Sequence, residues 1–180
     1  GGDMVVMDLS NPTRQPVAVE FVPGMVLDVD LASGIQPVML EQGWKYTLKP
    51  GESLHRILRA YCLDPNRSAP PEGQVVAYHV APSVSPYEDC VLVLWAGLRL
   101  DGDNRFQPVL RPLTHRTVVI QRAIWAVLAN QDRMAGRDRL ARDLREDAEV
   151  QGRTLSEGTV NRLADGIWRD VERTLQEAHK

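Results

Sequence analysis

The stretch APSVSP, residues 81–86, separates two parts of the chain with different residue patterns. Proline has a fixed φ and no backbone N–H, so Pro82 and Pro86 exclude a continuous helix or strand across this stretch. Before it, short β-branched segments alternate with turn residues, which indicates strands. After it, apolar residues recur every three or four positions, which indicates helices. The sequence therefore predicts an α+β fold, with a β-sandwich layer at residues 1–84 and a helical part at 85–180, packed together as one composite domain.

The first part predicts an antiparallel β-sandwich, because strand-like segments recur with turn residues between them. Pairs such as Pro23-Gly24 and Pro50-Gly51 supply the turns. Residues 64–73 predict a loop, since they contain three prolines and a glycine. The predicted strands are 5–9, 16–22, 25–30, 36–41, 44–49, 53–63 and 74–80.

The second part predicts four helices, at residues 87–100, 117–130, 137–150 and 156–177. The first is apolar enough for a buried helix, with a strand at 90–94 as the alternative. The last has the clearest helical periodicity in the chain, because its apolar residues all lie three or four positions apart. These residues are Val160, Leu163, Ile167, Trp168, Val171 and Leu175.

Composition excludes several classes of function. The 180 residues are 43% apolar and 25% charged, with a net charge of −3, as in an ordinary globular protein without a nucleic-acid partner. No apolar run approaches the ~20 residues that a membrane-spanning helix needs. The two cysteines and four histidines have no metal-ligand spacing, so we expect no metal and no cofactor. Only three of the 21 basic residues are lysines, so the chain has few amines that could consume an acyl group of its own.

One pair of residues suggests covalent chemistry. Cys62 is near the end of a predicted strand and Gln121 near the start of a predicted helix. A thiolate held against a glutamine side-chain amide can displace ammonia and leave an intramolecular thioester. Unpaired backbone N–H groups at a helix start would polarise the amide oxygen. The apolar neighbours Tyr61, Ile124 and Trp125 would then shield the thioester from water.

The segments YCL at 61–63 and IQRAIW at 120–125 resemble the two motifs of the internal-thioester domains of Gram-positive surface adhesins. Those domains carry an aromatic-Cys-hydrophobic motif on a β element and a Gln-x-Ala-aliphatic-Trp motif on a helix. The resemblance covers these two motifs and the plan of a β layer with helices. It implies that a Cys62–Gln121 thioester acylates an amine on a target surface protein. Each molecule would react once, so the protein is not an enzyme, and its location is extracellular or at the cell surface.

His115 is a candidate base that assists the acyl transfer, because it precedes Gln121 by six residues. The alternative is an exposed loop histidine after Pro112. The loop at 64–73 is either a lid over the acyl group or a proline-stiffened connector.

Other interpretations of the cysteines remain open. The chain is alternatively a structural or interaction module, with Cys62 and Cys90 as thiols or as a disulfide and Gln121 as an ordinary helix residue. A cysteine hydrolase is a third interpretation, although it would need a base beside Cys62. A cytoplasmic location follows if no thioester forms.

Overall fold

A computed structural model describes residues 3–29, 34–67, 76–130 and 133–180. It confirms the α+β class, with an antiparallel sheet of five strands in the N-terminal part and four helices in the C-terminal part. The chain divides into two compact units, which we call the β unit, ending at Pro86, and the helical unit, Tyr87–Lys180. That the two parts pack together as one composite domain stays a prediction.

The β unit contains two antiparallel sheets. The described strands are β1 (Asp3–Ser10), β2 (Val17–Phe21), β3 (Val26–Asp28), β4 (Val38–Leu40), β5 (Trp44–Leu48), β6 (Ser53–Cys62) and β7 (His79–Val80). Five of them form a sheet in the order β1-β6-β4-β3-β7, while β2 and β5 pair separately. Six of these strands overlap the six segments predicted before residue 64. The predicted strand at 74–80 is shorter in the structure, because residues 76–78 are irregular, and residues 74 and 75 lie outside the described residues.

The two sheets share a hydrophobic core. Strand β6 shows why the chain folds this way, since side chains along a strand alternate between two faces. Its Leu58 and Ala60 point into the core, while Ile57 is largely exposed. The buried members of the core are Phe21, Leu27, Val38, Leu40, Leu58 and Ala60.

Tight turns connect the strands where the sequence predicts them. Gly24 and Gly51 have φ angles of 85° and 70°, a left-handed conformation that costs glycine little because it has no Cβ. Both glycines follow prolines in the predicted turn pairs. The strands before these turns, β2 and β5, each end one residue before the predicted bound.

The helical unit contains α1 (Glu88–Gly102), α2 (Pro112–Leu128), α3 (Arg133–Val150) and α4 (Glu157–Ala178). Helix α1 confirms the helical interpretation of residues 90–94. Helix α2 begins five residues before the predicted Thr117, because Pro112 occupies its first turn, where a missing N–H costs nothing. Helix α4 begins where Ser156 accepts a hydrogen bond from the backbone N–H of Thr159.

Helix α4 packs against the other three helices. Val160, Ile167 and Val171 of the predicted stripe are fully buried. The helices approach closely at two glycines, since Gly97 of α1 faces Ile120 and Gly136 of α3 faces Trp168. None of the helices in the described ranges is both long and apolar enough to cross a membrane.

Candidate functional site

Cys62 is the last residue of β6. It lies opposite Val38 of β4 in the strand register, and only 3% of its surface is exposed. By the alternation of the strand, its side chain shares a face with Ala60, a member of the hydrophobic core. The next residue, Leu63, donates its backbone N–H to the carbonyl of Pro37 at 2.9 Å. The thiol therefore belongs to a hydrogen-bonded strand end that is shielded from water.

The chain after the cysteine folds into a compact turn. The Asp64 carboxylate accepts a hydrogen bond from the backbone N–H of Asn66 at 2.9 Å and pairs with the Arg67 guanidinium at 3.0 Å. Arg67 also reaches the carbonyl of Ile35 at 3.4 Å. Residues 68–73 of the predicted loop lie outside the described residues, so its role as lid or connector stays a prediction.

Tyr61 belongs to a buried polar pair that no sequence motif predicted. Its hydroxyl donates a hydrogen bond to Oε2 of Glu41 at 2.5 Å, and both residues are buried. The Arg59 guanidinium lies 3.9 Å from Oε1 of the same carboxylate. The signal was Glu41 itself, a charged residue at the end of a segment that is otherwise predicted to be a buried strand. Tyr61 is thus a buried hydrogen-bond donor, and its role as a shield of the thioester stays a prediction.

Gln121 lies in the interior of α2, nine residues after Pro112. The expectation that it sits near a helix start is wrong, because α2 begins earlier than predicted. Its neighbouring backbone N–H groups are therefore those of a helix interior, and the unpaired groups of a helix start do not lie beside it. Gln121 is only 2% exposed, and Ile120 and Ile124 beside it are fully buried. Glutamine is rarely buried to this extent, so this amide is unusual for its residue type.

Trp125, one turn after Gln121, is half-buried, and its role as a shield of the thioester stays a prediction. The guanidinium of Arg122 lies 5.0 Å from its ring centre and that of Arg139 lies 5.8 Å away. Such contacts stabilise a cation over an aromatic face. The tryptophan of the IQRAIW motif therefore links α2 to α3 through cation–π contacts.

His115 is fully buried in the first turns of α2, so the alternative of an exposed loop histidine is wrong. Pro112 starts the helix and does not lie in a loop before it. The Nε2 atom of His115 lies 2.9 Å from Oδ2 of Asp170 on α4. On an ideal helix, residues six apart are separated by ~9 Å along the axis and by ~120° around it. His115 and Gln121 therefore point in different directions from α2.

Asp170 organises a second buried polar group, which no sequence motif predicted. Its Oδ2 accepts a hydrogen bond from the backbone N–H of Gln107 at 2.7 Å, and its Oδ1 accepts one from Arg173 at 2.9 Å. Three donors on one carboxylate, with His115 as the third, satisfy a charge that burial would otherwise penalise. The available signal was an aspartate beside Val171 and three residues after Ile167, inside the apolar stripe of α4.

Cys90 is a free, buried thiol on α1, so the disulfide alternative is not formed in the structure. Burial, with a smaller effect from the charge of Asp89, raises the pKa of the Cys90 thiol to about 12. The thiolate is the nucleophilic form, so this cysteine is unreactive at neutral pH.

Among the described residues, no group of three His, Cys, Asp or Glu side chains is arranged to hold a metal ion. Cys62 lies in the β unit, and Gln121 and His115 lie in the helical unit, so the pairing of Cys62 with Gln121 stays a prediction. Comparison with protein-family models, curated proteins and solved structures found no match.

Proposed function

We propose that Cys62 and Gln121 form an intramolecular thioester, which acylates an amine on a target surface protein. The observation that carries this proposal is the burial of the Gln121 side chain among fully buried apolar residues of α2. Cys62 is equally shielded at its strand end. Because water hydrolyses thioesters, a buried thiol and a buried amide are what a long-lived acyl store requires.

The thioester forms by attack of the Cys62 sulfur on the side-chain carbonyl carbon of Gln121. The C–S bond forms, the C–N bond breaks, and the thiol proton leaves with the amide nitrogen as ammonia. In the second step a primary amine of the target attacks the same carbon. An amide bond forms, the C–S bond breaks, and the amine proton restores the Cys62 thiol. No electrons are exchanged with an oxidant or reductant in either step.

Cys90 does not compete for Gln121 in this scheme. The raised pKa of its thiol keeps it protonated at neutral pH, so the proposal assigns the attack on Gln121 to Cys62 alone. The three lysines also leave few amines of the same molecule to consume the acyl group.

Intact mass under denaturing, non-reducing conditions tests the proposal. The wild type and Cys90→Ala should each lack the mass of one ammonia, whereas Cys62→Ala and Gln121→Ala should match their calculated masses. Methylamine should then add once to the wild type and not to Cys62→Ala. A wild-type mass equal to the calculated one, with no methylamine adduct, would overturn the thioester.

A second function is favoured by one observation. Cys62 occupies a position in the strand alternation that an ordinary small core residue would fill, opposite Val38. A structural or interaction module without covalent chemistry would have this arrangement. The same mass measurement distinguishes this module from the thioester protein, because the module keeps the intact Gln121 amide and the Cys62 thiol and therefore has its calculated mass.

A further inference from the structure

We propose that the buried hydrogen bond between Tyr61 and Glu41 positions Cys62 for thioester formation; this inference rests on the proposed function. Tyr61 directly precedes the cysteine, and its hydroxyl oxygen lies 2.5 Å from Oε2 of Glu41. Glu41 directly follows β4, the strand whose Val38 lies opposite Cys62. One side-chain bond therefore ties together the strand that carries the thiol and its neighbour, beside the thiol.

The pair is suited to hold a fixed geometry. A buried carboxylate is costly unless strong donors satisfy it, and a hydroxyl at this distance from a carboxylate forms one of the shorter, charge-assisted hydrogen bonds. The Arg59 guanidinium at 3.9 Å adds a favourable charge on the same side. Moving Tyr61 away would leave the Glu41 carboxylate buried without this donor, so the pair resists displacement of the strand end.

Tyr61 acts through the backbone and not as a base for the thiol. Successive side chains of a strand point to opposite faces, so the hydroxyl of Tyr61 and the sulfur of Cys62 lie on opposite faces of β6. On the other side of Cys62, the N–H of Leu63 is bonded to Pro37 at 2.9 Å. Cys62 is therefore flanked by two fixed points, which limits the positions its sulfur can sample.

Positioning matters for this reaction because an amide is a poor electrophile. Attack requires the sulfur and the carbonyl carbon at near-attack distance, and a displacement of ~1 Å can cost ~100-fold in rate. When the Tyr61 bond is lost, the bond between Leu63 and Pro37 still holds the other side of Cys62, so we expect the sulfur to move by less than ~1 Å. We therefore expect Tyr61→Phe to lower the rate of thioester formation by about tenfold.

The chain offers a matched control. Tyr46 of β5 donates its hydroxyl to Oε1 of Glu52 at 2.8 Å, which is a partly buried Tyr–Glu bond in the same unit, away from the Cys62 strand end. Tyr46→Phe removes an identical group and should leave thioester formation unchanged. Glu41→Gln retains an acceptor for Tyr61 and should form more thioester than Glu41→Met, which has none.

The experiment uses the full chain in a Cys90→Ala background. Intact mass gives the thioester fraction, which is the share of freshly purified protein whose mass is lower by one ammonia. Thermal unfolding is measured in parallel. Maleimide labelling of Cys62 in a Gln121→Ala variant measures the accessibility of the thiol. Tyr61→Phe should lower the thioester fraction and speed the labelling by several-fold, while Tyr46→Phe changes neither.

The outcomes separate the two proposals. An equal thioester fraction in wild type and Tyr61→Phe would overturn the positioning role and leave the thioester standing. A wild type that retains its ammonia would overturn the proposed function. In that case maleimide labelling of Cys62 decides whether Tyr61 fixes the position of the thiol. Equal labelling rates in the Tyr61 and Tyr61→Phe proteins would overturn this role. If Tyr61→Phe does not fold, the Glu41→Gln and Glu41→Met pair gives the same comparison, and equal fractions in these two would overturn the role.

Discussion

Asp170→Ala tests how much the buried hydrogen bonds of Asp170 stabilise the helical unit. The carboxylate of Asp170 is fully buried and accepts hydrogen bonds from His115, Gln107 and Arg173. Alanine removes all three acceptor contacts at once. Arg173 is partly exposed and Gln107 is exposed, so water can reach both donors, whereas the Nε2–H of His115 would lose its acceptor in the protein interior.

The expected loss comes mainly from His115. A buried donor without an acceptor costs ~1–3 kcal/mol and the lost hydrogen bond of Gln107 adds ~0.5–1.5 kcal/mol, so the free energy of unfolding should fall by about 2–4 kcal/mol. His115 cannot avoid this cost by moving its proton, because its Nδ1 has no hydrogen-bond partner among the described residues. Since a domain is stable by ~5–15 kcal/mol in total, this substitution should remove a large part of the stability.

Urea unfolding followed by far-UV circular dichroism measures the effect, because the helices dominate that signal. Asp165→Ala is the matched control, since Asp165 lies on the same helix, pairs with Arg137 at 3.0 Å, and has a side chain that is 60% exposed. An exposed ion pair contributes ~1 kcal/mol or less. An Asp170→Ala loss no larger than that of Asp165→Ala would refute the reasoning that the buried carboxylate holds α2, α4 and the segment before α2 together.

Two further predictions concern close packing and the second cysteine. Gly136→Ala would place a Cβ 2.1 Å from the ring of Trp168, so it should lower the free energy of unfolding in urea by ~1–3 kcal/mol. Gly158→Ala is the control, because its Cβ meets no neighbour and should leave stability unchanged or slightly raised. Equal effects at the two glycines would contradict the packing of Gly136 against Trp168. Because the pKa of Cys90 is raised to about 12, its thiol in a Cys62→Ala variant should resist maleimide at pH 8 until the protein unfolds. Labelling of the folded variant at the rate of a free thiol would show that Cys90 is accessible.

The elements with strong periodicity were predictable from the sequence. The stripe of α4 follows from burying one face of the helix, and its Val160, Ile167 and Val171 are fully buried. The start of α2 was not predictable from proline as a loop signal alone, since Pro112 serves equally well in a first helical turn.

The polar partners were harder to predict. Glu41 and Asp170 find donors 20 and 55 residues away, at Tyr61 and His115, and no local pattern encodes such pairings. The sequence identifies each as a charged residue within an apolar segment, and only the fold supplies the donor. The proposed bond between Cys62 and Gln121 has the same character, since it depends on a meeting of distant segments.

The contacts of α4 also determine which parts of the helical unit can complete their hydrogen bonds during translation. Arg169 donates to the Gln107 side chain at 2.8 Å, and Arg173 donates to the backbone carbonyl of Arg105. The ribosome makes α4 after α1, α2 and α3, so the segment before α2 emerges without the side chains that fix it. His115 therefore lacks its Asp170 partner on the nascent chain until α4 has emerged.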